Sequence, residues 1–201
     1  MTPIEVATKT KAPRLIVLGA SAGGLRAVST LLEELPAPFP WPLVLCLHIL
    51  DRTHLDFAAA FRRQESWVIK EAEEKEMPVP GTLYLAPPGY HLLLERDGTF
   101  SLSNEAPENW ARPSIDVLFE SAAIAYGPQL LGILLTGANQ DGARGLHKIG
   151  ELGGLTIVQD PETAEISTMP QAAIKLGPIH HILSLTQISQ LLERLSATEG
   201  T

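Results

Sequence analysis

The chain has 201 residues, 45% of them hydrophobic and 19% charged, with a formal net charge of -8. That length suits one domain with a substantial core, and the acidic balance without a basic stripe argues against a nucleic-acid backbone as partner. The single cysteine, Cys46, permits no intramolecular disulfide, residues 1–13 lack the apolar core of a signal peptide, and no apolar run reaches membrane-span length, so a cytoplasmic chain with no membrane insertion is expected.

Residues 1–13 read as a flexible tail, 14–196 as one domain and 197–201 as a second short tail. Arg14 to Leu18 is a short leucine and β-branched run that predicts a strand. Gly19 to Gly24 is a tight turn, and Leu25, Val28, Leu31, Leu32 and Leu35 then fall at helical spacing. Pro36, Pro38, Pro40 and Pro42 end that helix, because proline lacks the amide donor and clashes with the preceding turn. Leu43 to Leu47 is continuously apolar, as a parallel strand covered on both faces should be. Leu55 to Phe61 predicts a short helix, Trp67 to Ile69 a strand, and the charge run Glu71 to Glu76 a solvated loop or helix end.

The chain then changes character, and Gly81 to Ala86 ends in Pro87-Pro88-Gly89. His91 to Glu95 and Phe100 to Leu102 form a hairpin across a turn containing Gly98. Ser114 is placed to cap a helix carrying Ile115, Leu118, Phe119 and Ala122. Gln129 to Leu135 is a strongly apolar strand running into the Gly-rich turn Thr136 to Ala143, and a helix through Leu146 and Ile149 closes at Gly153-Gly154. Strand Leu155–Val158, helix Met169–Leu176, strand His180–Leu183 and helix Ile188–Leu195 complete the chain. This alternation predicts an α/β fold: a doubly wound, mostly parallel sheet with helices on both faces and an antiparallel hairpin near the edge.

Ligands of such sheets bind beyond the carboxyl ends of the strands, where three chemically loaded residues fall: Ser21, His48 and Asp141. Gly19-Ala20-Ser21-Ala22-Gly23 fits a G-x-S-x-G nucleophile elbow. Gly19, Ser21 and Gly24 also fall where a dinucleotide loop would put its glycines, but the central serine hinders a pyrophosphate. The second strand ends in His48 rather than in an acid for a ribose hydroxyl. A serine needs a base, a histidine titrates near pH 6.5, and a carboxylate can orient it. Each residue has a plainer role open to it: Ser21 in easing the turn, His48 as a strand-end histidine bonded to backbone, Asp141 as an N-cap. His54, His91, His147, His180 and His181 are also available, as are Asp51, Asp116 and Asp160.

The ordered set Gly19–Gly24, Leu47-His48, Arg112–Phe119, Leu134–Gly137 with Asp141-Gly142-Ala143, Gly154–Asp160 and Met169–Ala173 resembles the catalytic domain of the chemotaxis protein-glutamate methylesterase (CheB) family. The resemblance covers about residues 13–196. It implies Ser21 as nucleophile, His48 as base and Asp141 as orienting acid, with N–H groups of Ala22 and of the Gly137-Ala138 turn as the oxyanion hole. Arg112 and Asn139 are candidates for substrate contact. The implied activity is hydrolysis of glutamate methyl esters on chemoreceptor signalling helices, with deamidation of receptor glutamines in some members, and no metal or cofactor. A separate response regulator is a possible partner: typical members carry a receiver domain ahead of the esterase, and residues 1–13 are too few to fold one.

Thr168 stands where the family usually has glycine before Met-Pro, and three further positions depart from the family pattern: Ala22 stands where threonine is usual, and Ala138 and Asn139 where Met-Gly is usual. They motivate a second reading, a catalytically weak or inactive binding module with the same fold. A nucleotide-binding protein is the third.

Overall fold

A computed structural model describes residues 13–48, 61 and 66–197. Seven parallel strands form its main sheet: β1 (Leu15–Ala20), β2 (Leu43–Leu47), β3 (Val68–Glu71), β4 (Thr82–Leu85), β7 (Leu130–Leu134), β8 (Leu155–Gln159) and β9 (His181–Leu183). Their spatial order is β3-β4-β2-β1-β7-β8-β9. The chain builds outward from β1 to one edge, then returns to add β7, β8 and β9 on the other side. The point where strand order reverses lies between β1 and β7, the usual place for a ligand crevice in an open α/β sheet.

The period-2 alternation of each strand divides the core in two. Ile16, Leu18, Leu43, Leu45, Leu131 and Ile133 face one side, against α1 (Gly24–Glu34) and α5 (Leu185–Ala197). Leu15, Val17, Val44, Cys46, Leu130 and Leu134 face the other. There they meet α2 (Ile115–Tyr126), α3 (Ala143–Glu151) and α4 (Thr168–Leu176). Helices on both faces explain why β1, β2, β7 and β8 are buried along their whole lengths. The predicted doubly wound sheet is the one observed.

The hairpin is β5 (His91–Leu94) paired antiparallel with β6 (Phe100–Ser103), and it makes a separate two-stranded sheet rather than an edge of the large one. Leu92, Leu94 and Phe100 bury beside α2 in the second core. The run Glu71–Glu76 leaves the end of β3 as a loop tied to this hairpin: Lys75 N–H donates to Phe100 O, and Phe100 N–H to Glu76 O. The helix expected over Leu55–Phe61 lies outside the described residues apart from Phe61. No helix among the described residues is long and apolar enough to cross a membrane.

α2 and α3 approach each other at Gly145. A Cβ there would lie 2.5 Å from Phe119 Cβ and 3.0 Å from the Asp116 carbonyl oxygen. The second obstacle is helix backbone, which cannot rotate away. Gly145→Ala should therefore lower the urea unfolding free energy by about 1–3 kcal/mol, the usual range for overpacking. An unchanged unfolding midpoint would mean that the two helices separate freely.

Candidate active site

Three strand ends build the site. Ala20 pairs with Leu47 in the last rung between β1 and β2, and His48 N–H donates to Ala20 O at 3.0 Å. Ser21 and His48 are therefore neighbours one residue beyond that rung, on strands roughly 5 Å apart. Continuing the alternation points both toward the face covered by α2 and α3. Ser21 N–H donates to Thr136 O at 3.0 Å, which fixes the Ser21 turn against the turn after β7. The left-handed residue of the Ser21 turn is Gly23, with φ 78°, not the serine.

Asp141 is fully buried and its carboxylate accepts five hydrogen bonds. Oδ2 takes His48 Nε2–H at 2.9 Å and Ile115 N–H at 2.7 Å. Oδ1 takes Ser114 Oγ–H at 2.9 Å, Asn109 Nδ2–H at 3.0 Å and Asp116 N–H at 3.1 Å. Burial alone would push this carboxyl up. The donors, His48 first and then Ile115, Asn109 and Asp116, outweigh it and hold the group at about 2.

This arrangement corrects one sequence expectation. Ser114 occupies the N-cap position of α2, but its hydroxyl makes no capping bond and turns to Asp141 instead. Asp141 itself supplies the anionic oxygens for the first N–H groups of α2, in trans, where the helix dipole favours negative charge. Nor does Asp141 cap its own helix: the N-cap of α3 is Gly142, left-handed at φ 89°.

Two glycines make room for this junction. A Cβ on Gly19 would lie 2.4 Å from Ile115 Cγ2, and one on Gly142 would lie 2.5 Å from the same atom. Gly19, read in the sequence as part of an elbow, thus serves the close approach of α2 whose Ile115 N–H holds Asp141.

A carboxylate can only accept, so His48 Nε2 carries a proton and Nδ1 presents a lone pair in the neutral ring. Asn139 Nδ2 stands 3.4 Å from that Nδ1, while its Oδ1 accepts Asp141 N–H at 3.1 Å, which sets the orientation of the amide. Asn139 is not left-handed, so no positive φ is demanded where the family pattern has glycine. Among the described residues, Ser21 Oγ makes no hydrogen bond to His48.

The oxyanion candidates separate. Within the Gly137-Ala138 turn, Gly137 N–H donates to Ile166 O at 3.1 Å and is committed. The N–H groups of Ala22 and Ala138 meet no acceptor among the described residues. Gly137 nonetheless adjoins the serine: a Cβ there would lie 3.0 Å from Ser21 Cβ and 2.6 Å from Met169 Cε. Gln159, also buried, accepts Thr136 N–H at 2.9 Å and braces the turn. Arg112 donates at 2.8 Å to the carbonyls of Asn104 and of Glu105, so its guanidinium ties down the loop before α2.

Other histidines have structural duties. His91 links Ser114 N–H to Ala106 O, and His180 bonds Thr156. Asn109, absent from the sequence reading, bridges the two buried carboxylates, with Nδ2 also 2.9 Å from Asp116 Oδ2. Among the described residues no group of three or more His, Cys, Asp or Glu side chains could hold a metal ion.

A hydroxyl, an imidazole and a buried carboxylate gathered at the switch point of a parallel sheet are the parts of an α/β serine hydrolase. The chain belongs to the CheB methylesterase family, whose model matches residues 16–192. A relative from Leptospira interrogans is 50% identical over 180 residues, covering 90% of this chain and 93% of its own. The Myxococcus xanthus protein-glutamate methylesterase FrzG is 37% identical, covering 94% of this chain and 58% of that protein. A Cupriavidus metallidurans protein-glutamate methylesterase/protein-glutamine glutaminase is 40% identical, over 93% of this chain and 53% of that one. The chain thus spans little more than half of these two longer relatives. The crystal structure of the Thermotoga maritima CheB methylesterase catalytic domain superposes with a TM-score of 0.85 at 31% identity, covering 92% of this chain and all of that one.

Asp116, beside Asp141, behaves oppositely. Burial raises its carboxyl to about 6, assisted by the Asp141 charge and resisted by Gly145 N–H at 2.7 Å. The folded chain holds this proton more tightly than the unfolded one, so the Asp116 share of stability falls as pH rises from about 4 through 6. The Asp141 share is complete above about 4 and is lost as pH falls toward 2. The urea stability of Asp116→Asn minus that of wild type should therefore be greater at pH 7 than at pH 4, by about 2 kcal/mol. A difference independent of pH would contradict the raised carboxyl.

Proposed function

We propose that the chain hydrolyses methyl esters of glutamate side chains on chemoreceptor proteins, and deamidates receptor glutamines, with Ser21 as nucleophile, His48 as base and Asp141 as the acid that orients it. The hydrogen bond between His48 Nε2 and the buried Asp141 carboxylate is the observation that carries this reading. It turns the Nδ1 lone pair away from Asp141, and a hydroxyl on the neighbouring strand end can occupy the place where Asn139 Nδ2 now stands.

Chemistry follows from these groups. Ser21 Oγ attacks the side-chain carbonyl while its proton passes to His48 Nδ1. The carbonyl oxygen takes the negative charge and is held by the N–H groups of Ala22 and Ala138. The tetrahedral adduct collapses, the C–OCH3 bond breaks, and His48 returns the proton to methoxide, releasing methanol. Water then attacks the acyl-serine with His48 again taking a proton, and glutamate leaves as Ser21 regains its own. With a glutamine substrate the leaving group is ammonia and the product is again glutamate. Throughout, Asp141 stays ionised, stabilising the imidazolium without accepting its proton. The same reading gives the chain a cytoplasmic location.

Ser21→Ala should reduce release of labelled methanol from methylated receptor to background, while retaining the wild-type unfolding midpoint; undiminished release would remove Ser21 as nucleophile. Gly137→Ala, whose Cβ would press on Ser21, should lower turnover by about 10²-fold, the scale of a displacement near 1 Å in a catalytic group. Full activity in that variant would show that the serine need not be held where it stands.

A further inference from the structure

Trp110 is the most exposed large apolar side chain among the described residues, at 101% relative exposure. It stands on a tight hairpin turn. Glu108 N–H donates to Ala111 O, and Ala111 N–H to Glu108 O, leaving Asn109 and Trp110 as a two-residue loop. Both central residues are left-handed, with φ 50° at Asn109 and 64° at Trp110. Such turns favour Asn-Gly, because the second position suits a residue without a Cβ. Asn109 fits that pattern and Trp110 does not. A bulky aromatic is strained there, and its ring is given to water, where tryptophan is seldom found in full. Neither local conformation nor core packing accounts for a tryptophan at this position.

The turn is rigidly joined to the site. Asn109 Nδ2 donates to both Asp116 and Asp141, and the preceding Glu108 pairs with Arg144 of α3. The ring is thus held one residue from a side chain that touches the carboxylate orienting His48. Leu25, 40% exposed, follows the Ser21 turn, and Ile166, 36% exposed, accepts the Gly137 N–H. Trp110, Leu25 and Ile166 are thus exposed apolar side chains on segments joined to the site. Tryptophan is foremost among the residues that dominate protein–protein binding energy.

We infer that Trp110 is a docking residue for the protein substrate, packing on an apolar surface of the receptor beside the esterified glutamate. This inference rests on the esterase reading. It makes Trp110 a specificity-determining contact held outside the reacting groups.

Trp110→Ala and Trp110→Gly should raise KM for a soluble, methylated receptor signalling fragment by about tenfold or more, with kcat within about twofold of wild type. Trp110→Phe should recover most of the loss. Trp110→Gly should also melt at a higher temperature than wild type, because glycine relieves the left-handed strain. A separate binding measurement needs no turnover. Trp41 and Trp67 are buried, so acrylamide quenches chiefly Trp110, and saturating fragment should protect it in a Ser21→Ala background. An unchanged KM in the alanine variant, with wild type releasing methanol, overturns the docking role and leaves the esterase standing. Unprotected Trp110 emission at saturating fragment also overturns it. Failure of wild type to release methanol overturns the esterase reading and this inference with it.

Discussion

One buried carboxylate holds the site together. Asp141 accepts hydrogen bonds from the end of β2, from the first turn of α2, from Ser114 before it, and from the loop at Asn109. An ionised carboxylate with no exposure costs several kcal/mol unless its lone pairs are occupied. Here five donors occupy them, two from a helix N-terminus. The group that would orient His48 is thus also the cap of α2. Loss of that charge would release the helix start, the loop and the imidazole together.

That double duty explains the glycines. For α2 to offer its N–H groups to Asp141, Ile115 must pass between β1 and the turn into α3. Gly19 and Gly142 leave the room it needs, since a Cβ on either would come within 2.5 Å of Ile115 Cγ2. Spacing that reads as a nucleophile elbow therefore contains two kinds of glycine. Gly23 serves the conformation of the turn, and Gly19 serves the packing of a helix nearly a hundred residues downstream.

Much of this was legible in the sequence because it is local. Continuous apolar runs marked the parallel strands, proline marked the end of α1, and Ser21 and His48 were each legible as residues at the carboxyl end of a strand. What escaped was set at long range. Ser114 has the chemistry of a cap, and only the folded chain shows that an acid from another turn takes the task. Asn109 lies in a polar stretch without periodicity, so nothing in its neighbourhood announces two carboxylate contacts. That Gly137 N–H is held by Ile166 O, from a distant segment, has no local signal either. Arg112, a candidate for substrate contact in the sequence, donates through Nη1 to two carbonyls of its own loop.

Position 139 shows how a departure from a family pattern can be absorbed. A glycine there leaves the His48 Nδ1 side open and the Asp141 N–H without a local acceptor. Asparagine supplies that acceptor through Oδ1 and places Nδ2 near the imidazole, at 3.4 Å. A contact of that length is weak, and it competes for the one lone pair on which the proposed proton transfer would depend. In the proposed mechanism such a weak contact would be given up to a serine hydroxyl at little cost, whereas the firm bond on the opposite nitrogen would keep the ring aligned. The asymmetry between 2.9 Å to a buried anion and 3.4 Å to a neutral amide lets the imidazole be fixed on one side and available on the other.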